Sequence, residues 1–145
     1  MTDHVRIVEV AARDGLQNEK TMISSANKLT LIEKAIDAGA RRIEVTSFVN
    51  PNRVPQMADA DQVCAGLPDR PDVSYIGLVL NARGAERAIA TGRINQLGAV
   101  AVATDRFAIA NQGQTSDDSV AVSKDIIRQA QAAGLTGQVT ISAAF

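Results

Sequence analysis

The sequence predicts a parallel α/β fold of the (β/α)8 barrel type, with about four and a half of the βα units present. Three observations predict it. Runs of strand character alternate with runs of helical spacing in the order βαβαβαβαβ. The strands recur about every 25 to 40 residues, the repeat of stacked βαβ units. Polar side chains collect at the C-terminal ends of the strands, the rim on which parallel α/β proteins build their sites. An open doubly wound sheet would be complete at 145 residues, whereas a full barrel needs roughly 200 or more. Glu44 favours the barrel, because it interrupts an apolar strand between Ile43 and Val45, and Glu9 sits similarly in the first strand. A buried carboxylate is costly without a partner. A barrel interior opening onto a polar mouth supplies one, and Arg13 is the natural partner for Glu44.

Taken in order, Val5 opens an apolar run of strand length that ends at Arg13-Asp14-Gly15. Ser24 or Ser25 can cap a helix carrying Leu29, Ile32 and Ile36, closed by Gly39. Arg42–Phe48 reads as the second strand, and the turn-rich 50–55 leads into a helix through Val63 that stops near Gly66. Val73–Leu80 is the third strand, Asn81 caps a helix to Thr91, and Leu97–Ala103 is the fourth strand. Residues 104–115 read as a polar loop holding Asn111, Gln112 and Gln114. Ser116 can cap a fourth helix, with Asp117 and Asp118 near its positive end. Gln138–Ala144 is a fifth strand.

The formal net charge of −1 points to neither a nucleic-acid nor an anionic-membrane partner. The single cysteine, Cys64, has no intramolecular partner and lies in a predicted helix, which suits a small buried apolar role and a reducing, cytoplasmic compartment. The N-terminal stretch is too polar for a signal peptide, and no apolar run approaches a membrane span. No glycine-rich phosphate loop of the nucleotide-binding types is present.

Arg13 and Asp14 carry two readings. A cation beside a carboxylate at the mouth of a buried strand suits catalysis, and it also describes an ordinary surface ion pair. Glu44 serves equally as a structural partner of Arg13 or as a participant in chemistry. Gln17 and Asn18 face a pocket or satisfy loop backbone. Met57 reads as a packing residue, and His4, ahead of the first strand, as non-functional.

Three blocks, Arg13-Asp-Gly-Leu-Gln-Asn-Glu19, Ile43-Glu-Val-Thr-Ser-Phe-Val49 and Val54-Pro-Gln-Met-Ala-Asp59, resemble 3-hydroxy-3-methylglutaryl-CoA (HMG-CoA) lyases. These belong to the metal-dependent (β/α)8 lyases and Claisen-type synthases. The resemblance runs over essentially the whole chain, in register with the family's first five strands, and implies one catalytic domain over 1–145 that holds only the N-terminal part of the barrel. It implies retro-Claisen cleavage of HMG-CoA to acetyl-CoA and acetoacetate, an acyl-CoA substrate, a role in leucine degradation, and a homo-oligomer, a dimer, in the longer form. On this resemblance Asp14 is a ligand of a divalent metal, Mg2+ or Mn2+. Arg13 binds substrate and stabilises enolate charge on the thioester oxygen, Glu44 supports that arginine, and Gln17 and Ser142 border the substrate pocket.

The family's metal site also takes two histidines from a His-x-His, and an asparagine, from later strands, and a cysteine from a glycine-rich loop. None of these motifs occurs in this sequence, so the 145 residues alone are expected neither to bind metal tightly nor to turn over substrate. Val102–Phe107 lacks the serine-rich form usual after the family's fourth strand, which leaves a related acyl-CoA lyase or condensing synthase open. A non-catalytic half-barrel that binds rather than reacts is the reading from a different class.

Overall fold

β1 (Arg42–Ser47), β2 (Ser74–Leu78), β3 (Gln96–Val102) and β4 (Thr136–Ser142) form one parallel sheet in the order β1-β2-β3-β4. Helices α1 (Ser25–Asp37), α2 (Ala60–Gly66), α3 (Ala82–Ala90), α4 (Asp105–Gln112) and α5 (Ser116–Ala132) accompany it. The computed structural model describes residues 4–144; residues 1–3, where the polar N-terminal stretch begins, and 145 lie outside the described residues. Among the described residues no helix is long and apolar enough to cross a membrane.

Helices α1, α3 and α5 start where the chain supplies a capping side-chain oxygen. Ser24 accepts the Asn27 amide, Asn81 accepts the Gly84 amide, and Thr115 with Asp118 forms a reciprocal capping box at α5. Ser116, the expected cap of α5, is instead its first helical residue, and its hydroxyl donates to the Val102 carbonyl. Ile32 and Ile36 of α1, Val63 of α2 and Ile126 of α5 pack with Ile43, Val45 and Leu97 into one core. Each such side chain, fully buried, contributes about 1.5–3 kcal/mol relative to exposure. Cys64 and Met57 are buried too, Cys64 within that core and Met57 beside the Thr46 hydroxyl, as their packing roles require.

The opposite face of the sheet carries polar side chains among apolar ones, with Glu44, Gln138 and Ile76 gathered around Gly98. Arg42 on β1 donates to Gln96 Oε1 on β3 at 2.9 Å and to Gln138 Oε1 on β4 at 3.1 Å. Three strand spacings separate β1 from β4, about 14 Å in a flat sheet. A bond between side chains standing up from those strands fits a sheet that curls towards itself, as barrel strands do.

Two elements differ from the expectation. The predicted first strand shrinks to a single bridge, with the Glu9 amide bonded to the Arg42 carbonyl at 2.9 Å and the Glu44 amide to the Glu9 carbonyl at 2.8 Å. Val5 and Ile7, ahead of it, are exposed, so their apolar side chains gain no burial that would extend the ladder. The segment 104–115, expected as a polar loop, contains α4. Its Asn and Gln residues read as loop, yet Phe107-Ala-Ile-Ala110 propagates a helix and Gly113, at φ +69°, closes it in the left-handed conformation. Asp105 ties α4 to α5 by accepting the Ser116 amide at 2.8 Å.

Candidate functional site

The chain turns sharply after Glu9, and that turn presents the candidate cation. The Val10 carbonyl accepts amides from Arg13 at 3.1 Å, Asp14 at 2.8 Å and Gly15 at 3.3 Å, closing a π-type turn over Ala11–Gly15. The Glu9 carboxylate accepts the Ala11 amide at 2.7 Å, so this strand-end acid is partnered by backbone. Turns of this type are rare and gather at functional positions.

Arg13 Nε donates to Glu44 Oε1, and Arg13 Nη1 donates to Asp14 Oδ1 at 2.9 Å. The two carboxylates differ in environment: the Glu44 side chain is 5% exposed and that of Asp14 is 60% exposed. Breaking a buried pair such as Arg13–Glu44 costs about 3–5 kcal/mol, because the survivor is stranded. An exposed pair such as Arg13–Asp14 is worth about 0–1 kcal/mol. The Arg13–Glu44 pair is therefore the rigid member and Asp14 the accessible one. Glu44 owes its inward aim to β1, where the register with β2 shifts between Glu44 and Thr46.

A cavity of about 620 Å³ opens among the loops at the C-terminal ends of the strands. Its wall includes Gln17, Arg53, Asn81, Gln114 and Ser142 above apolar Leu78, Val100 and Phe107. Gln17 and Ser142, far apart in sequence, thus share one cavity, whereas Arg13, Asp14 and Glu44 do not form part of its wall. Gln17 lies on the cavity wall, and its Oε1 is a buried acceptor with no hydrogen-bond partner. Asn18 and His4 are exposed. A larger groove of about 710 Å³ lies between the N-terminal segment and the end of α1, at the N-terminal ends of the strands, which in this architecture serve stability.

The residues present do not fit a divalent ion on their own. Among the described residues no three His, Cys, Asp or Glu side chains cluster into a cage, and Asp14 offers one carboxylate with an oxygen already on Arg13. Hard divalent ions take about six oxygen ligands.

Sequence reasoning missed a second polar cluster beside this turn. Lys28, Gln56 and Asp59 join α1 to the short 3-10 turn Pro55–Met57 and to α2. A signal was available, since Lys28 falls on the same stripe as Ile32 and Ile36, at i, i+4 and i+8.

The HMGL-like family model matches residues 4–145. The chain belongs to the HMGL-like family. A Pseudomonas aeruginosa 3-hydroxy-3-isohexenylglutaryl-CoA/hydroxy-methylglutaryl-CoA lyase is 43% identical over 116 residues, 80% of this chain and 38% of that protein. A Chloroflexus aurantiacus (R)-citramalyl-CoA lyase is 39% identical, over 97% of this chain and 47% of its own length. Among solved structures, the HMG-CoA lyase of Brucella melitensis matches with TM-score 0.90 at 40% identity, over 97% of this chain and 49% of that one. An HMG-CoA lyase from Acinetobacter baumannii, solved with coenzyme A and 3-methylmalate, matches with TM-score 0.87 at 33% identity, over 97% of this chain and 47% of that one. The chain therefore spans 38–49% of the length of these relatives, and its parallel sheet is that of a partial (β/α)8 barrel.

Proposed function

We propose that this chain is the N-terminal part of a carbon–carbon lyase that cleaves HMG-CoA to acetyl-CoA and acetoacetate. One observation carries the reading: a guanidinium, buried on one side against Glu44 and open towards Asp14 on the other, stands where the strands meet their loops. In the cleavage a base takes the proton of the tertiary hydroxyl, and the C2–C3 bond breaks as the C3–O bond becomes a ketone. The released electron pair forms an enolate on the thioester, which is then protonated to acetyl-CoA. Arg13 supplies fixed positive charge for the enolate oxygen, and Glu44 keeps it from swinging away. The unpartnered Gln17 Oε1 and the Ser142 position border the substrate.

Asp14 would give one oxygen to the divalent metal of such a lyase, and the other ligands must come from sequence outside these 145 residues. The same holds for the remaining strands of the barrel. Alone, the chain is expected to be inactive. The buried free thiol supports a reducing, cytoplasmic compartment.

The test is acetyl-CoA release from HMG-CoA by the protein that carries this segment. Arg13→Lys keeps a cation beside Glu44 and loses the planar fork, so kcat should fall about a hundredfold with KM little changed. Wild-type kcat in that variant would remove Arg13 from the chemistry. A second reading, a lyase for a related 3-hydroxyacyl-CoA, draws on the citramalyl-CoA lyase likeness and on the Val102–Phe107 segment. A substrate panel in the same assay separates the two.

A further inference from the structure

We propose that Gln56 is a positioning residue, whose buried amide fixes the chain leaving the Arg13–Asp14 turn and so holds Arg13 against Glu44. The segment 10–18 is suspended between two anchors. At its entrance Glu9 makes its two-bond bridge with β1. At its exit the Glu19 amide donates to the Leu16 carbonyl at 3.0 Å, and from there residues 19–23 belong to neither helix nor strand.

Gln56 supplies what secondary structure does not. Its Nε2 donates to the Glu19 carbonyl at 3.3 Å and the Thr21 carbonyl at 2.9 Å, while its Oε1 accepts the Ile23 amide at 3.0 Å. One side chain thereby satisfies three backbone groups of a loop. That pattern needs two donors and an acceptor at one reach, which only a primary amide offers. Gln56 is itself immobile. It is buried, and its backbone carbonyl accepts the Lys28 ammonium. Lys28, also buried, donates to Asp59 at 2.7 Å, and Asp59 accepts the Ser25 hydroxyl at 2.7 Å. The loop is thus tied to α1 and α2, elements outside the turn it steadies. The catalytic consequence rests on the lyase reading; the positional statement stands apart from it.

Amide and guanidinium exchange in the 15N-labelled protein that carries this segment tests this without an activity assay. In Gln56→Met, exchange of the Ile23 amide should rise about tenfold. The Arg13 Nε–H signal should vanish into exchange while amides of Gln96–Val102 hold their protection. Gln56→Glu keeps the acceptor and loses both donors, so Ile23 should stay slow while Arg13 Nε–H exchanges faster than in the unaltered chain. An Arg13 Nε–H as slow as the original in either variant overturns the proposal, as does a uniform loss of protection that includes β3. Should Gln56→Met not fold, Gln56→Glu decides alone. If the unaltered longer protein that carries this segment released no acetyl-CoA from any acyl-CoA tried, the lyase reading would fall, and a moved Arg13 signal would still leave this inference standing.

Discussion

β1 and β4 are both outer strands of the same parallel sheet, yet they live in different surroundings. Every residue of β1 from Ile43 to Ser47 is buried, whereas β4 has no buried residue at all. The reason lies in what covers them. β1 has the Arg13 turn beside it, with α1 and α2 packed over its apolar face and Arg13 bonded to Glu44 on the other. β4 has α5 over part of one face, and Val139 and Ile141 face solvent. Strand pairing alone does not bury a strand; the layers above and below do. The candidate site sits on the finished side of this contrast.

The sharpest way to break the comparison is to make one chemical change in both strands. Ile43 is 0% exposed and Ile141 is 68% exposed. Ile43→Ala should cost about 2–5 kcal/mol, the usual range for emptying a packed position. Ile141→Ala should fall within about 0.5 kcal/mol of the original. Denaturant unfolding of the two variants at a common slope measures both. Equal losses would mean that β4 is covered in solution, for instance by a second copy of the chain.

Glycines sharpen the contrast at a smaller scale. A Cβ on Gly84, in the first turn of α3, would lie 2.8 Å from the carbonyl oxygen of Phe48, just past β1. Backbone at that point cannot yield without moving the strand end, so Gly84→Ala should cost about 1–3 kcal/mol. On β4 a Cβ on Gly137 would meet Ile127 Cδ1 at 2.5 Å, the tip of a flexible side chain. A rotamer change relieves that contact, and Gly137→Ala should cost under about 1 kcal/mol. A thermal melt that ranks them the other way would show that α5 is held more rigidly than β4's exposure implies.

Legibility follows the same divide. Periodicity and capping residues disclosed the βα order, and Glu44 disclosed its partner, because a lone acid in an apolar strand admits few solutions. Placement at a strand end was legible, as with Arg13 and Ser142, because it follows from the alternation of strands and helices. The meeting of one loop with a distant loop was not legible. Gln56 lies 33 residues from the Ile23 amide it accepts, and no local pattern announces that meeting. The first strand falls short of its pattern for the opposite reason. Val5 and Ile7 have strand propensity, but propensity is expressed only where a neighbour buries the side chain. α4 is hidden in the sequence by its Asn and Gln residues, whose polarity masks the helix continuity of Phe107-Ala-Ile-Ala110.

The smallest expected effect is silent at neutral pH and concerns the layer over β1. Cys64, in α2, has its thiol pushed up to about 12 from an ordinary value of 9.0, chiefly by burial away from water, with the Thr91 hydroxyl opposing. The folded-state value lies above the unfolded one, so the neutral thiol's contribution is fully present below pH 9.0 and is lost as pH rises towards about 12. Stability should therefore fall across that alkaline window, and Cys64→Ala should flatten the part of the slope that the thiol carries. At neutral pH a thiol reagent should leave Cys64 unmodified until denaturant unfolds the chain. Rapid labelling of the native protein would mean that water reaches the layer between α2 and β1, and the contrast with β4 would then be one of degree only.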